Sequence, residues 1–271
     1  MQTEIAIPTE NGSVLAFGDG DRDSPPVLIL TPGLDDGSGY AKVTGALSGH
    51  FHVARMKRRT HRSDIPAGTD IADEAADVLL LAEALGCPLL VGHSSGGVVA
   101  LEAMVAHPEA FAGAVLYEPP VVTELSLGGD ATVRARRAVD EGRPGAAIEI
   151  FLRDVVEVSA IVARLASWYA SSSSKRRFLA SRQIAELEAL DRLGNRLDAY
   201  ARITLPVLLV GGAKSPAHLA QRLDVLQSRL GHATRVLLER DGHDANVRHP
   251  RELADVIAGF AGEIMMNPSR G

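Results

Sequence analysis

The stretch from Pro88 to Ala106 constrains this chain more than any other. An apolar run, Pro88 to Val91, enters Gly92-His93-Ser94-Ser95-Gly96-Gly97 and leaves through Val98 to Ala106, a segment of small and apolar residues. A strand that turns straight into a helix brings backbone against backbone, and side chains two places either side of the turn would collide with it. Gly92, Gly96 and Gly97 remove those side chains. Ser94 is then held in a strained conformation at the tip, its hydroxyl lifted clear of the sheet. The Ser95 amide, at the start of the helix, points to where negative charge would develop on an attacked carbonyl. Ser95 offers a competing hydroxyl, but a turn centred there would put bulky His93 at a position that needs glycine.

The remaining sequence supplies a frame for such a turn. Short runs rich in Val, Ile and Leu alternate with longer segments of helical periodicity, the pattern of a mostly parallel sheet with helices on both faces. Thr3 to Ile7 and Val14 to Phe17, separated by Glu10-Asn11-Gly12, predict an opening hairpin, because Asn-Gly supplies the positive φ of a tight turn. Further strands are expected at Val27 to Leu30, Phe51 to Met56, Ala112 to Tyr117, Pro206 to Val210 and Thr234 to Leu238. Helices are expected at Gly39 to Leu47, Asp70 to Leu85, Pro216 to Leu230 and Arg251 to Phe260. From Val121 to Tyr200 no strand is evident, and helical periodicity covers Ala146 to Leu165 and Phe178 to Leu193. The expected organisation is an α/β core over 1–120 and 201–271, with a helical cap over 121–200.

Bulk properties exclude several roles. The 271 residues carry a net charge of −6, and the basic clusters Lys57-Arg58-Arg59 and Lys175-Arg176-Arg177 are isolated, so no nucleic acid is expected as a partner. Met1-Gln2-Thr3-Glu4 begins no secretory leader, and no apolar run approaches the ~20 residues that span a bilayer. A cytoplasmic protein with no membrane partner is expected. The single cysteine, Cys87, has no second thiol for a disulfide or a shared metal, and neither metal nor cofactor is expected.

A serine on this turn needs a base, and nine histidines compete. His243, in Asp241-Gly242-His243-Asp244, lies in a loop after the last strand that can fold back over the sheet's carboxyl edge. His249-Pro250 and His107-Pro108 read as helix boundaries. The base in turn needs a carboxylate to fix its tautomer and stabilise its cation. The loop after the strand that follows the insertion, Gly211-Gly212-Ala213-Lys214-Ser215-Pro216, contains no acid. Glu118, in Tyr117-Glu118-Pro119-Pro120, stands at the end of the strand next to the turn and is the expected partner. Asp224, Asp241 and Asp244 stay open as substitutes. A second amide for the developing oxyanion is expected from Gly33 or Leu34, in Thr31-Pro32-Gly33-Leu34.

Together, Ser-Ser-Gly at the turn, Tyr-Glu-Pro-Pro, Val-Gly-Gly-Ala-Lys-Ser-Pro and a late Gly-His with a trailing His-Pro resemble the α/β-hydrolase superfamily. More narrowly they are similar to its branch of zearalenone lactonases, in which the acid is a glutamate after the strand following the elbow helix. The resemblance implies an α/β-hydrolase fold and a Ser94, His243 and Glu118 triad. It implies hydrolysis of a small-molecule ester or lactone through an acyl-enzyme, and it says nothing of substrate choice across 121–200. Trp168 and Tyr169 are expected as walls of a substrate pocket under the cap, and a homodimer stays open. A cofactor-free perhydrolase or haloperoxidase would use the same triad, a lyase is compatible with the scaffold, and a slow-turnover ligand receptor could retain the triad. A haloalkane dehalogenase is disfavoured, since it would need Asp where Ser94 stands.

Overall fold

In a computed structural model of the chain, which describes residues 3–10, 12–66, 70–124 and 126–265, eight strands are hydrogen-bonded into one sheet. They are β1 (Thr3–Thr9), β2 (Gly12–Asp19), β3 (Pro26–Leu30), β4 (His52–Met56), β5 (Leu89–His93), β6 (Gly113–Tyr117), β7 (Val207–Gly212) and β8 (Ala233–Leu238). Their order is β1-β2-β4-β3-β5-β6-β7-β8. The pairings of β2 with β1 and β4 are antiparallel, and every pairing from β4 to β8 is parallel. The opening hairpin is present, with Gly12 at φ 126°; Asn11, also expected in that turn, lies outside the described residues.

The helices are α1 (Ala41–Leu47), α2 (Ile71–Leu85), α3 (Ser95–Ala106), α4 (Asp130–Asp140), α5 (Pro144–Asp154), α6 (Ala160–Ser171), α7 (Ser174–Leu193), α8 (Leu197–Tyr200), α9 (Ala217–Arg229), α10 (Ala245–Arg248) and α11 (Pro250–Met265). Successive strand residues face opposite sides of a sheet, and here both sides are apolar. Val27, Ile29, Val91 and Val115 pack with Val43 of α1 and Ile257 of α11. Leu28, Leu30, Leu90 and Leu116 pack with Val78 of α2, Leu101 of α3 and Leu223 of α9. Each such side chain contributes about 1.5–3 kcal/mol of burial, so the register of the central strands is fixed from both faces.

Between β6 and β7 the described residues form helices, joined at their base by one parallel bridge, Val122 to Asn195. Two details differ from the sequence reading. The periodicity from Ala146 to Leu165 is broken into α5 and α6 at residues 155–159, where Glu157 takes a positive φ of 63°. Ser159 then caps α6 by accepting the Val162 N–H at 3.4 Å. Helix α4 was not expected; its inward face is built from Ala131, Ala135 and Ala138, whose small side chains give a weak apolar signal. Among the described residues no helix is long and apolar enough to cross a membrane.

Candidate active site

The turn between β5 and α3 has the geometry its glycines require. Ser94 sits at φ 53° and ψ −127°, a strained region for a residue with a side chain. A Cβ on Gly92 would lie 2.6 Å from Gly97 Cα, one on Gly96 would lie 2.4 Å from the Leu30 carbonyl oxygen, and one on Gly97 would lie 2.9 Å from Pro119 Cβ. None of the three tolerates a side chain without moving the turn. The Ser94 N–H donates to the Tyr117 carbonyl at 2.9 Å, tying the tip to the end of β6. Ser94 Oγ has no hydrogen-bond partner among the described residues and borders a cavity of about 280 Å³. The neighbouring hydroxyl is engaged differently: buried Ser95 Oγ accepts from Arg58 Nη1 at 3.0 Å.

His243 borders the same cavity, on the loop between β8 and α10. Its Nδ1 is 2.6 Å from Glu118 Oε2. A carboxylate can only accept, so Nδ1 carries the proton and Nε2 remains free to take one. Glu118 is 1% exposed and adopts a φ of 43°. Its second oxygen, Oε1, accepts the Gly212 N–H at 2.7 Å. Gly212 ends β7, the strand whose following loop lacks an acid, so the glutamate reaches across from β6 to that position.

The three substitute carboxylates are engaged elsewhere. Asp224 pairs with Arg235, Asp244 with Arg248 at 2.6 Å, and Asp241 with His249 Nδ1 at 2.5 Å. Asp241, His249 and Glu252 bring ligand-type atoms within 4.8 Å of one another. They do not border the cavity; Asp241 Oδ1 is held by His249, and its Oδ2 is enclosed without a partner.

Two residues that pattern reasoning passed over set the His243 loop. The Tyr117 hydroxyl donates to the Gly242 carbonyl and accepts the Ala245 N–H at 3.3 Å, bracketing His243 from both sides. Burial, then the Glu118 charge, pushes the phenol well up, so it stays protonated. His93 stacks on Tyr117 with ring centroids 4.4 Å apart and meets His243 edge-on at 4.6 Å. Burial drives the His93 pKa well down, and the neighbouring His243 adds to it.

The loop after β3 is locked from behind. His61 Nε2 donates to the Gly33 carbonyl at 3.0 Å, Thr31 Oγ1 donates to the Asp35 carbonyl at 2.7 Å, and Arg58 Nη1 donates to the Thr31 carbonyl at 2.7 Å. Arg58 is 0% exposed and lies between Glu74, at 2.5 Å, and Glu186 of α7. Burial pushes the Glu186 carboxyl up; burial also opposes the Glu74 charge, but Arg58 holds that group down. Gly33 and Leu34 border the cavity with Ser94 and Ser95.

Trp168 and Tyr169, expected as pocket walls, are not. They stand on α6 at 75% and 57% exposed, and Arg176 covers the Tyr169 ring at 3.9 Å. Helix α6 buries Ala163 and Ala170, and at 100° per residue positions 168 and 169 fall off that face. The walls are instead Phe151 and Leu152 of α5, Val155, and Leu187 and Leu190 of α7.

A glycine-built turn holding a serine, beside a histidine paired to a buried carboxylate at the carboxyl edge of a parallel sheet, defines a class of hydrolase. The model of the Alpha/beta hydrolase family matches residues 28–256, and the chain belongs to that family. It is 28% identical over 250 residues to "Putative carbamate hydrolase RutD" of Pseudomonas savastanoi pv. phaseolicola, spanning 87% of this chain and 93% of that protein. A protein of the same name from Pseudomonas syringae pv. syringae is 27% identical over 251 residues, again 87% and 93%. Among solved structures, an alpha/beta hydrolase from Sphaerobacter thermophilus superposes with a TM-score of 0.81 at 22% identity, covering 94% of this chain and 99% of that one. The enol-lactonase from Burkholderia xenovorans LB400 superposes with a TM-score of 0.70 at 21% identity, covering 94% and 99%. These two likenesses are of fold.

Proposed function

We propose that the protein hydrolyses a carboxylic ester or lactone through an acyl-enzyme on Ser94, with His243 as general base and Glu118 as its orienting carboxylate. The observation that carries this reading is the 2.6 Å contact of Glu118 with His243 Nδ1, which leaves Nε2 unprotonated on a residue that lines the same cavity as Ser94. Ser94 Oγ attacks the carbonyl carbon as its proton passes to His243 Nε2, and the alcohol leaves with that proton. Water, deprotonated by the same nitrogen, then releases the acid. The Ser95 N–H is one donor to the oxyanion. For the other, the planar trans peptide that turns the Gly33 carbonyl to His61 turns the Leu34 N–H the opposite way, which favours Leu34 over Gly33. Preorganised donors of this kind are worth about 2.7–4 kcal/mol each.

The glutamate at this position also supports a Ser-His-Glu arrangement like that of the lactonase branch. The name of the RutD relatives favours a second substrate class, carbamates, which the same groups would attack at the carbonyl carbon. A panel of p-nitrophenyl esters, lactones and carbamates run on wild type and Ser94→Ala tests the proposal. Ester or lactone turnover lost in the variant, with a fluorophosphonate adduct mapped to Ser94, is expected. Preferred turnover of carbamates selects the second reading. Oxidation with added peroxide exceeding hydrolysis selects a perhydrolase, and one slow adduct on Ser94 without steady turnover selects a receptor.

A further inference from the structure

Arg222 is a cation that the mechanism above does not use, set in the wall of an otherwise largely apolar cavity. It stands on α9, and its Nη1 donates to the Val121 carbonyl at 2.5 Å. That bond fixes the plane of the guanidinium and leaves the opposite edge, Nε with Nη2, without an acceptor among the described residues. Nε is fully enclosed and unpartnered. The carboxylates that act on Arg222, Asp191 and Glu157, do so only through space, and burial outweighs them in lowering its pKa. Fully buried Arg58 lies between two glutamates, whereas buried Arg182 donates to the Arg62 and Ile65 carbonyls, and neither borders the cavity. Arg222 Nε has thus lost its hydration without a compensating acceptor, while Nη2 is not enclosed. His218, one turn earlier on α9, also borders the cavity, with its Nδ1 3.4 Å from Glu157 Oε2.

We infer that Arg222 is an anion subsite, and that the substrate is an ester or lactone whose apolar body ends in a carboxylate. Nε is closed off, so Nη2 is the donor a carboxylate can reach, in a charge-assisted hydrogen bond. The apolar walls of Phe151, Leu187 and Leu190 cover the hydrocarbon between the anion and the scissile carbonyl. This inference rests on the reading of Ser94 as nucleophile and deepens it from an ester to an anionic ester.

The test compares 4-nitrophenyl heptanoate with the mono-4-nitrophenyl ester of pimelic acid, equal in chain length and different in the terminal carboxylate. Wild type is expected to prefer the anionic ester by at least about tenfold in kcat/KM, the scale of one charge-assisted hydrogen bond. In Arg222→Leu the preference should collapse to about one, and in Arg222→Lys, which keeps the charge but places it differently, it should be intermediate. A wild type indifferent to the carboxylate, or a Leu variant that loses both esters equally, overturns the subsite. Should wild type cleave neither ester, the ester-hydrolysis reading fails separately from the subsite. Calorimetric binding of pimelic acid monoamide against heptanamide, in wild type and Arg222→Leu, then decides the subsite, with equal binding of the two amides to wild type counting against it.

Discussion

Glu118 and His243, 125 residues apart in the chain, meet at 2.6 Å, and the glutamate's other oxygen is held by the Gly212 N–H at 2.7 Å. With both oxygens engaged, the carboxylate has no freedom to follow the imidazole. Glu118→Gln keeps the shape but offers an amide that can present its N–H to Nδ1, favouring the wrong tautomer. The expected result is a fall in kcat of about 10³–10⁴ with KM changed little. Glu118→Ala with full activity would sink the assignment of this residue.

Gly212 also lies against the loop that carries His243. A Cβ there would be 2.6 Å from the Gly242 carbonyl oxygen, and backbone cannot yield as a side-chain tip does. Gly212→Ala is therefore expected to displace His243 and lower kcat by about 10²-fold, the effect of roughly 1 Å of misplacement. Kinetics beside a thermal melt check this, since simple loss of fold would remove both together.

Arg58 neutralises two enclosed carboxylates at once. Replacing it by methionine, which fills part of the space without the charge, leaves Glu74 and Glu186 facing each other in the interior. A loss of about 3–5 kcal/mol is expected, read as a shift in the urea midpoint. Adding Glu186→Gln to that variant should recover part of the loss, because it removes one of the two repelling acids. No recovery would argue that Arg58 acts by packing alone.

His61 bears on acid stability. Burial, with the Arg58 charge beside it, lowers its pKa to about 4, whereas an unfolded histidine titrates near 6.5. Between these values the unfolded chain binds more protons, so this stabilisation is complete above pH 6.5 and is lost as pH falls to 4. A shift of this size corresponds to about 3 kcal/mol. In His61→Gln, whose amide can still donate to the Gly33 carbonyl, the stability curve should be flatter over that window. Buried His93 leaves a remaining slope in both proteins. Parallel curves for wild type and variant would show that His61 does not contribute.

The sheet was legible because its signal is repeated: each central strand is apolar on both faces, and Gly92, Gly96 and Gly97 mark the turn by steric necessity. Glu118 was reached from sequence through the missing acid after β7, and the structure adds what one dimension hides, that Gly212 donates to it. Tyr117 and Arg58 were not read as functional. One looks like a strand residue and the other like part of a surface basic cluster, and their roles arise only when α7 and the His243 loop close over the sheet. The misassigned Trp168 and Tyr169 show the same limit. Large aromatics suggest a binding wall, but the face a helix buries is decided by its neighbours, and α6 is anchored through alanines.

The bridge between Val122 and Asn195 has a consequence for how such a protein can change. Because the polypeptide leaves and re-enters the sheet at one doorway, the entropy of closing the excursion is set at that threshold and grows only slowly with what lies beyond it. The excursion can therefore be lengthened or shortened at little entropic cost while the strands on either side keep their register, except along α7, which Glu186 and Arg182 tie to Arg58 and to the Arg62 carbonyl below.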